Sequence, residues 1–300
     1  MTLEDLIYQR LTQHPSLIKK LAKYASAPAV FFQNAPDDKA QGWKGRLQFP
    51  RIDYVVDLQH NPERKTSGSL TLNIWSTEEA GVTPPEELEP IVRQLLCGVF
   101  LKPQDAPPYA LSWARSEPFD APREGGDGIV IGATIIFDVF AFPSQVTTDP
   151  DPILAINHFA KQLIPFATVI GKDDLMAETV PTEKTPALYF RLETMRNQRE
   201  TNTVAWMDAV IAGHVFAGGE ETTWIRAIVD ALALNGEVTM LDTSPMFITT
   251  LTADSTLNAT SAGQLRIGVR FGLLRRKPLP HVLHTANMEQ TKGGDQYGSS

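Results

Sequence analysis

The sequence predicts an α+β fold of two tandem similar domains, each a mainly antiparallel sheet packed with two helices. The first observation is length and composition: 300 residues, 42% hydrophobic and 21% charged, suit a globular protein of two ordinary domains. The second is that segments with alternating apolar residues are interspersed with segments of helical apolar spacing. The third is that the order of these segments recurs along the chain, which predicts an internal duplication.

Each predicted domain begins with a helix. Thr2 is a good N-cap for the first helix. The apolar residues of this helix lie on one face: Leu3, Leu6, Ile7 and Leu11. The second domain begins with a helix at about Asp151-Pro152, since proline is favoured in the first helical turn.

A strand led by proline follows in each predicted domain. Pro50 and Pro186 lie 136 positions apart, and apolar residues alternate after both of them. In the first domain a polar stretch over 60–68 then separates two strands. In the second, the polar stretch 196–202 does the same, so both segments predict a strand, a turn and a strand.

The second helix of each domain has recognisable ends. Thr83 is the predicted N-cap of the first, with Pro84 at its first helical position and Glu86 closing a capping box. Its counterpart starts at Glu221-Thr222 and ends at Asn235-Gly236, because glycine is the usual residue after a helix.

Each domain ends with further strands. They are predicted over 109–115 and 128–141 in the first domain, and over 237–241, 247–251 and 265–274 in the second. The segment 142–152 contains three prolines and separates the domains. The predicted domains are therefore residues 1–145 and 150–276, followed by an extended or mobile arm over 277–300, where apolar periodicity is lost.

The sequence contains no catalytic or cofactor-binding motif that we recognise, which predicts a protein that is not an enzyme and has no cofactor. The six histidines have no accompanying ligand at a metal-binding spacing, so no metal site is predicted. His281 and His284 are the nearest to a pair, but Pro278 and Pro280 disfavour a helix there. The single cysteine, Cys97, lies on an apolar helical face and is predicted to be inert.

The net charge of −8 and the scarcity of basic clusters argue against direct nucleic-acid binding. No apolar run approaches the ~20 residues of a membrane-spanning helix, and the N-terminus lacks the pattern of a signal peptide, so no membrane partner is expected. One cysteine excludes an intramolecular disulfide, in keeping with a reducing cytoplasm.

The order of elements resembles the tail terminator (tail completion) proteins of long-tailed phages and prophages. The residues that carry the resemblance are the chain start Leu3-Glu4-Asp5-Leu6-Ile7-Tyr8-Gln9-Arg10-Leu11, the Phe49-Pro50 strand opening, the hairpin, the amphipathic helix and the long final strand. Each half resembles one such protein, whose familiar members are single domains of about half this length.

The resemblance implies a structural virion protein of the tail or neck, assembled in the host cytoplasm. Such a subunit forms a ring that terminates the tail tube or joins it to the head. The implied partners are the chain itself, in rings of six or three copies, and the tail tube and head-connector proteins, with DNA only passing through the lumen. Six copies are the favoured count, because drift between the halves suggests that only one of them still meets the tube.

One basic cluster is a possible assembly contact. Arg275, Arg276 and Lys277 directly follow the last predicted strand of the second domain, where they can meet an acidic neighbour. The alternative function is a two-domain α+β protein that binds a small molecule or peptide in the cleft between its domains.

Overall fold

A computed structural model describes residues 1–43, 48–59, 66–123 and 128–275 of the chain. The fold is α+β, as predicted. The described residues form five helices: α1 (Leu3–Gln13), α2 (Pro15–Ile18), α3 (Pro85–Leu96), α4 (Pro152–Leu163) and α5 (Glu221–Asn235).

The strands of the described residues belong to two large sheets and one small hairpin. In chain order they are β1 (Lys23–Tyr24), β2 (Ala27–Pro28), β3 (Val30–Phe32), β4 (Arg51–Leu58), β5 (Gly68–Thr77), β6 (Phe100–Leu101), β7 (Tyr109–Pro122), β8 (Ile129–Ala141), β9 (Thr168–Ile170), β10 (Glu178–Thr179), β11 (Ala187–Glu200), β12 (Val204–Phe216), β13 (Glu237–Thr239), β14 (Pro245–Ala253) and β15 (Leu265–Leu274).

The two large sheets have the same strand order. The first runs β10-β6-β7-β8-β5-β4-β3, and the second runs β13-β14-β15-β12-β11-β9. Leaving out β10, each strand of the first sheet has a counterpart at the same place in the second. In each sheet one short edge strand is parallel to its neighbour, β3 to β4 and β9 to β11, and the other pairs are antiparallel. We call residues 1–145 the first half and residues from 150 onward the second half.

The helices and prolines occupy corresponding places as well. Pro50 directly precedes β4 and Pro186 directly precedes β11, and both strands lie between the parallel edge strand and a hairpin partner. α3 follows β5, and α5 follows β12. The order of elements predicted from the sequence therefore recurs in both halves of the structure.

One face of each sheet packs against helices and forms a core. Alternate residues of β5 (Leu70, Leu72 and Ile74) are fully buried against α1 and α3. Alternate residues of β15 (Leu265, Ile267, Val269 and Phe271) are fully buried in a second core with α4 and α5. This alternation is the pattern of a sheet with one covered face.

Most predicted helix ends are confirmed. Thr2 and Asp5 form a capping box at α1. Asp151 Oδ1 accepts hydrogen bonds from the backbone N–H groups of Ile153 (2.7 Å) and Leu154 (3.2 Å), which caps α4. Gly236 ends α5 with a φ of 67°, in the left-handed region that favours glycine.

The predicted start of the helix after Thr83 is wrong by one residue. The N-cap of α3 is Pro84, in an extended conformation and with no side-chain hydrogen bond, and Pro85 occupies the first turn. The carbonyl of Thr83 instead accepts a hydrogen bond from Ser76 Oγ (2.7 Å), which holds the residue in the loop after β5.

Two predicted strands are too short. β7 continues through 116–122, and β11 continues through the polar residues 194–200. Cross-strand pairing explains both extensions, since Phe119 pairs with Gly132 and Arg199 pairs with Trp206. These polar residues adopt strand structure because a partner strand pairs with them. The alternation of apolar residues in the sequence does not show such pairing.

Candidate assembly site

The two halves contact each other by strand addition. β10, which lies in the connection between β9 and β11, pairs antiparallel with β6, an outer strand of the first sheet. The backbone N–H of Lys102 also donates to the carbonyl of Ala177 (2.9 Å). Arg10 of α1 donates to the side chain of Glu178 on β10 and to the carbonyl of Leu95 on α3, so two helices and the incoming strand are joined at one residue.

An aromatic cluster fills the space between the halves. The ring of Phe142, which directly follows β8, meets Phe100 edge-on at 5.2 Å between ring centroids and Phe216 at 5.7 Å. Tyr189 meets Phe142 edge-on at 5.1 Å. Such edge-to-face pairs stabilise beyond the burial of their surface. The cluster therefore attaches the two sheets through side chains contributed by both.

The segment between the halves is held by the second sheet. Tyr189 Oη donates to the carbonyl of Pro143 (2.9 Å), and Gln145 Oε1 accepts from the backbone N–H of Leu192 (2.8 Å). Burial raises the pKa of Tyr189 to about 12, so the phenol keeps the proton that this hydrogen bond needs. Residues 143–145 thus pack on the edge of β11 rather than forming a free linker.

A cavity of about 520 Å³ lies between the halves. Phe140 and Phe142 line it from the first half and the segment that follows. From the second half, Glu193 Oε1 and Oε2 meet Arg191 Nη2 at 3.1 Å and Arg266 Nε at 2.8 Å. Two guanidinium groups share one carboxylate, so this wall of the cavity has a net positive charge.

His214 is buried beside these arginines. Its Nδ1 lies 2.6 Å from the carbonyl oxygen of Ala259, and its Nε2 lies 3.1 Å from Arg191 Nε. Because both partners are fixed, Nδ1–H donates to the carbonyl and Nε2 accepts from Arg191, which requires the neutral ring. Desolvation lowers the pKa of His214 to about 4, and the charges of Arg191 and Arg266 act in the same direction.

The helix-free face of the second sheet carries another charged group. Arg270 Nε lies 2.8 Å from Asp208 Oδ1, and this hydrogen bond lowers the pKa of the Asp208 carboxyl. Gly268 lies next to them on β15, where a Cβ atom would approach Thr250 Oγ1 to 2.2 Å. A hollow of about 730 Å³ follows along this face and is lined by Gln198, Arg199, Trp206, Phe247, Thr249 and Arg270.

The structure places one of the three predicted contact residues. The backbone N–H of Arg275 donates to the carbonyl of Thr203 (2.8 Å), and its guanidinium pairs with Glu200 of the same chain. Arg276 and Lys277 lie outside the described residues, as do His281, His284 and the predicted arm 277–300.

Sequence reasoning missed the residues that join the halves. Arg10, Glu178, Tyr189 and His214 lie on four separate elements. A charged residue on a helix and a two-residue strand have no recognisable spacing, so no signal in the sequence connects them. The aromatic residues near the ends of β8 and β12, Phe142 and Phe216, are the signal that could have indicated an apolar contact there, and our prediction from the sequence did not use it.

Cys97 is half-buried and packs against the first core, and burial raises the pKa of its thiol. Among the described residues, no group of three or more His, Cys, Asp or Glu side chains is arranged to hold a metal ion. Within the same part of the chain, none of the helices has the length and apolar character needed to cross a membrane.

Comparison of the chain with protein-family models, with curated proteins and with solved structures finds no match.

Proposed function

We propose that the protein is a structural subunit of a phage or prophage tail, which forms a ring that terminates the tail tube or joins it to the head. The observation that carries the proposal is the β6–β10 contact between two halves with the same strand order. It is a contact between two different surfaces, the type that closes a ring of similar units.

The two matching sheets support the underlying duplication. Six strands recur in the same spatial order, one of them a parallel edge strand, and helices pack on one face of each sheet. A shared topology of this size favours descent of both halves from one single-domain ancestor. The proposed role needs no reaction, and the protein is accordingly proposed not to be an enzyme.

Tail assembly in the absence of the protein tests this function. Tail tubes grown without it are expected to exceed their normal length, and adding the purified full-length chain should restore uniform tubes. Electron microscopy measures tube length and shows whether rings cap the tube ends. The proposed tail function would be contradicted if the chain stays monomeric at its highest soluble concentration, both with and without tail tubes.

The cavity between the halves supports a second candidate function, the binding of a small anionic molecule. Its wall carries Arg191 and Arg266 around the single carboxylate of Glu193. Citrate and phosphate are suitable probes, with chloride at matched ionic strength as the control. A ligand that binds only the folded state raises the melting temperature, and the rise grows with the logarithm of ligand concentration above the dissociation constant. No difference between the probes and chloride would exclude this candidate.

A further inference from the structure

A groove runs along the outer edge of the second sheet. It has a volume of about 630 Å³ and lies between α4, the C-terminal end of α5 and β13. Two leucines that line it are exposed to solvent, Leu163 by 37% and Leu241 by 62%. Apolar side chains thus border an open strand edge.

The backbone of β13 is free to pair on this side. The carbonyl of Gly236 accepts from Ile248 N–H, and Met240 N–H donates to the carbonyl of Ser244, both at 2.9 Å. With Val238 opposite Met246, this register turns residues 236, 238 and 240 towards β14. The N–H and C=O groups of Glu237 and Thr239 therefore point away from the sheet. Within the described residues they have no hydrogen-bond partner.

The corresponding edge in the first half is occupied. β6 holds the place in the first sheet that β13 holds in the second, and β10 pairs with its outer side. β10 comes from the connection between β9 and β11, and the counterpart of that connection in the first half is residues 33–50, between β3 and β4. One half thus offers a filled edge, and the other offers the same edge unfilled.

We infer that the free edge of β13 binds residues 34–41 of the β3–β4 connection of a second copy of this chain. The inference deepens the ring-forming role proposed above and rests on it. Gln33, Asn34, Lys39 and Gln41 of this connection are exposed. Trp43 is buried and bridges Tyr24. The buried Asp38 pairs with Arg51, so Trp43 and Asp38 hold the connection to its own half. Strand addition supplies the affinity through backbone hydrogen bonds, and the exposed leucines of the groove supply apolar contact.

The contact makes the assembly head-to-tail. Each chain carries the unfilled β13 edge on its second half. On its first half, Trp43 of the β3–β4 connection forms a bridge with Tyr24 of β1, while residues 34–41 of the connection lie in no strand. Repetition of the same contact between and within chains gives an alternating series of halves. Such a heterologous series closes into a ring when the rotation from one half to the next is a whole fraction of 360°.

Proline substitution at the free edge tests the inference. Thr239→Pro removes an N–H that the fold does not use, so the fold should persist while strand addition is lost. Ala253→Pro is the matched control, because Asp254 N–H donates to Gln264 O and the neighbouring Ala253 N–H points away from β15. We expect Thr239→Pro to weaken self-association about tenfold or more in sedimentation experiments, with Ala253→Pro close to the wild type.

A second pair of variants tests the groove without changing the backbone. Leu241→Asp places a charge in the groove, and Ile129→Asp is its control, since Ile129 is exposed to a similar extent (64%) but lies on the first half. Leu241→Asp should weaken association, and Ile129→Asp should not. Circular dichroism of each variant establishes that it is folded.

Mixed cross-linking identifies the occupant. A Thr239→Cys chain mixed with a Lys39→Cys or Gln41→Cys chain should form a disulfide-linked pair on oxidation, whereas each chain alone should not. An oligomer that tolerates Thr239→Pro and Leu241→Asp would overturn the inference and leave the ring role standing. A wild-type chain that never associates would overturn both.

Discussion

His214 is a buried group whose charge state the fold controls. The residue is 2% exposed, Arg191 donates a hydrogen bond to its Nε2, and Arg266 lines the same cavity. The pKa is about 4 in the folded chain and about 6.5 in the unfolded chain, so the unfolded chain binds the additional proton between these values. The contribution of the neutral ring to stability is therefore present above pH 6.5 and is lost as the pH falls towards 4.

We predict that His214→Gln reduces the pH dependence of stability. The amide of glutamine can replace both hydrogen bonds without titrating. Between pH 7.5 and pH 4.5 the wild type should lose about 2–3 kcal/mol more free energy of unfolding than the variant. Urea unfolding at both pH values gives the difference. Parallel losses in the two proteins would contradict the assignment of a neutral ring.

At the scale of the element, the start of α4 connects a helix to the segment between the halves. Asp151 is 5% exposed, and besides capping α4 it accepts a hydrogen bond from Thr147 N–H at Oδ2 (2.6 Å). One carboxylate thus satisfies backbone donors of the helix and of the preceding segment. The helix end and the path of the chain towards it depend on the same side chain.

Asp151→Ala is predicted to lower the free energy of unfolding by about 1–2 kcal/mol, because three backbone N–H groups lose their acceptor. Asp151→Asn keeps one acceptor oxygen for the helix and should cost less. Chemical denaturation of the three proteins measures the series. A loss in Asp151→Asn equal to that in Asp151→Ala would argue against the capping role.

At the scale of the whole molecule, the aromatic cluster couples the two halves. Phe142 contacts Phe100 of the first half and both Tyr189 and Phe216 of the second. Each core is otherwise complete around its own sheet and helices. Cooperative unfolding of the chain therefore depends on this cluster and on the β6–β10 pairing.

We predict that Phe142→Ala separates the unfolding of the halves. Replacing a buried phenylalanine by alanine costs about 3–5 kcal/mol of stability. Phe142 is buried between the halves, so this loss weakens the contact between them. Scanning calorimetry should resolve two transitions in the variant and one in the wild type. Phe137→Ala, inside the first core alone, should keep one transition at a lower temperature. A single transition in Phe142→Ala would show that the cluster is not the coupling element.

The chain count of the assembly is the second prediction at this scale. If the contacts between chains repeat the β6–β10 contact within a chain, all halves of the ring are equivalent. Three chains then supply six such halves, which matches a ring of six single-domain subunits. We therefore expect native mass spectrometry to give three times the chain mass of 33.1 kDa. A six-chain ring would mean that only one half of each chain forms the inner ring, as drift between the halves suggests from the sequence.

The sequence by itself determined the fold class, the repeated order of elements and most helix ends. These follow from local chemistry: Thr2, Asp151 and Gly236 act within one helical turn, and the apolar alternation of β15 reports its single buried face. Only the tertiary structure decided where β3, β9 and β10 pair, because strands of two or three residues exist through a remote partner. It also decided which edge is filled and which is free, since that depends on how the halves meet and on no residue pattern.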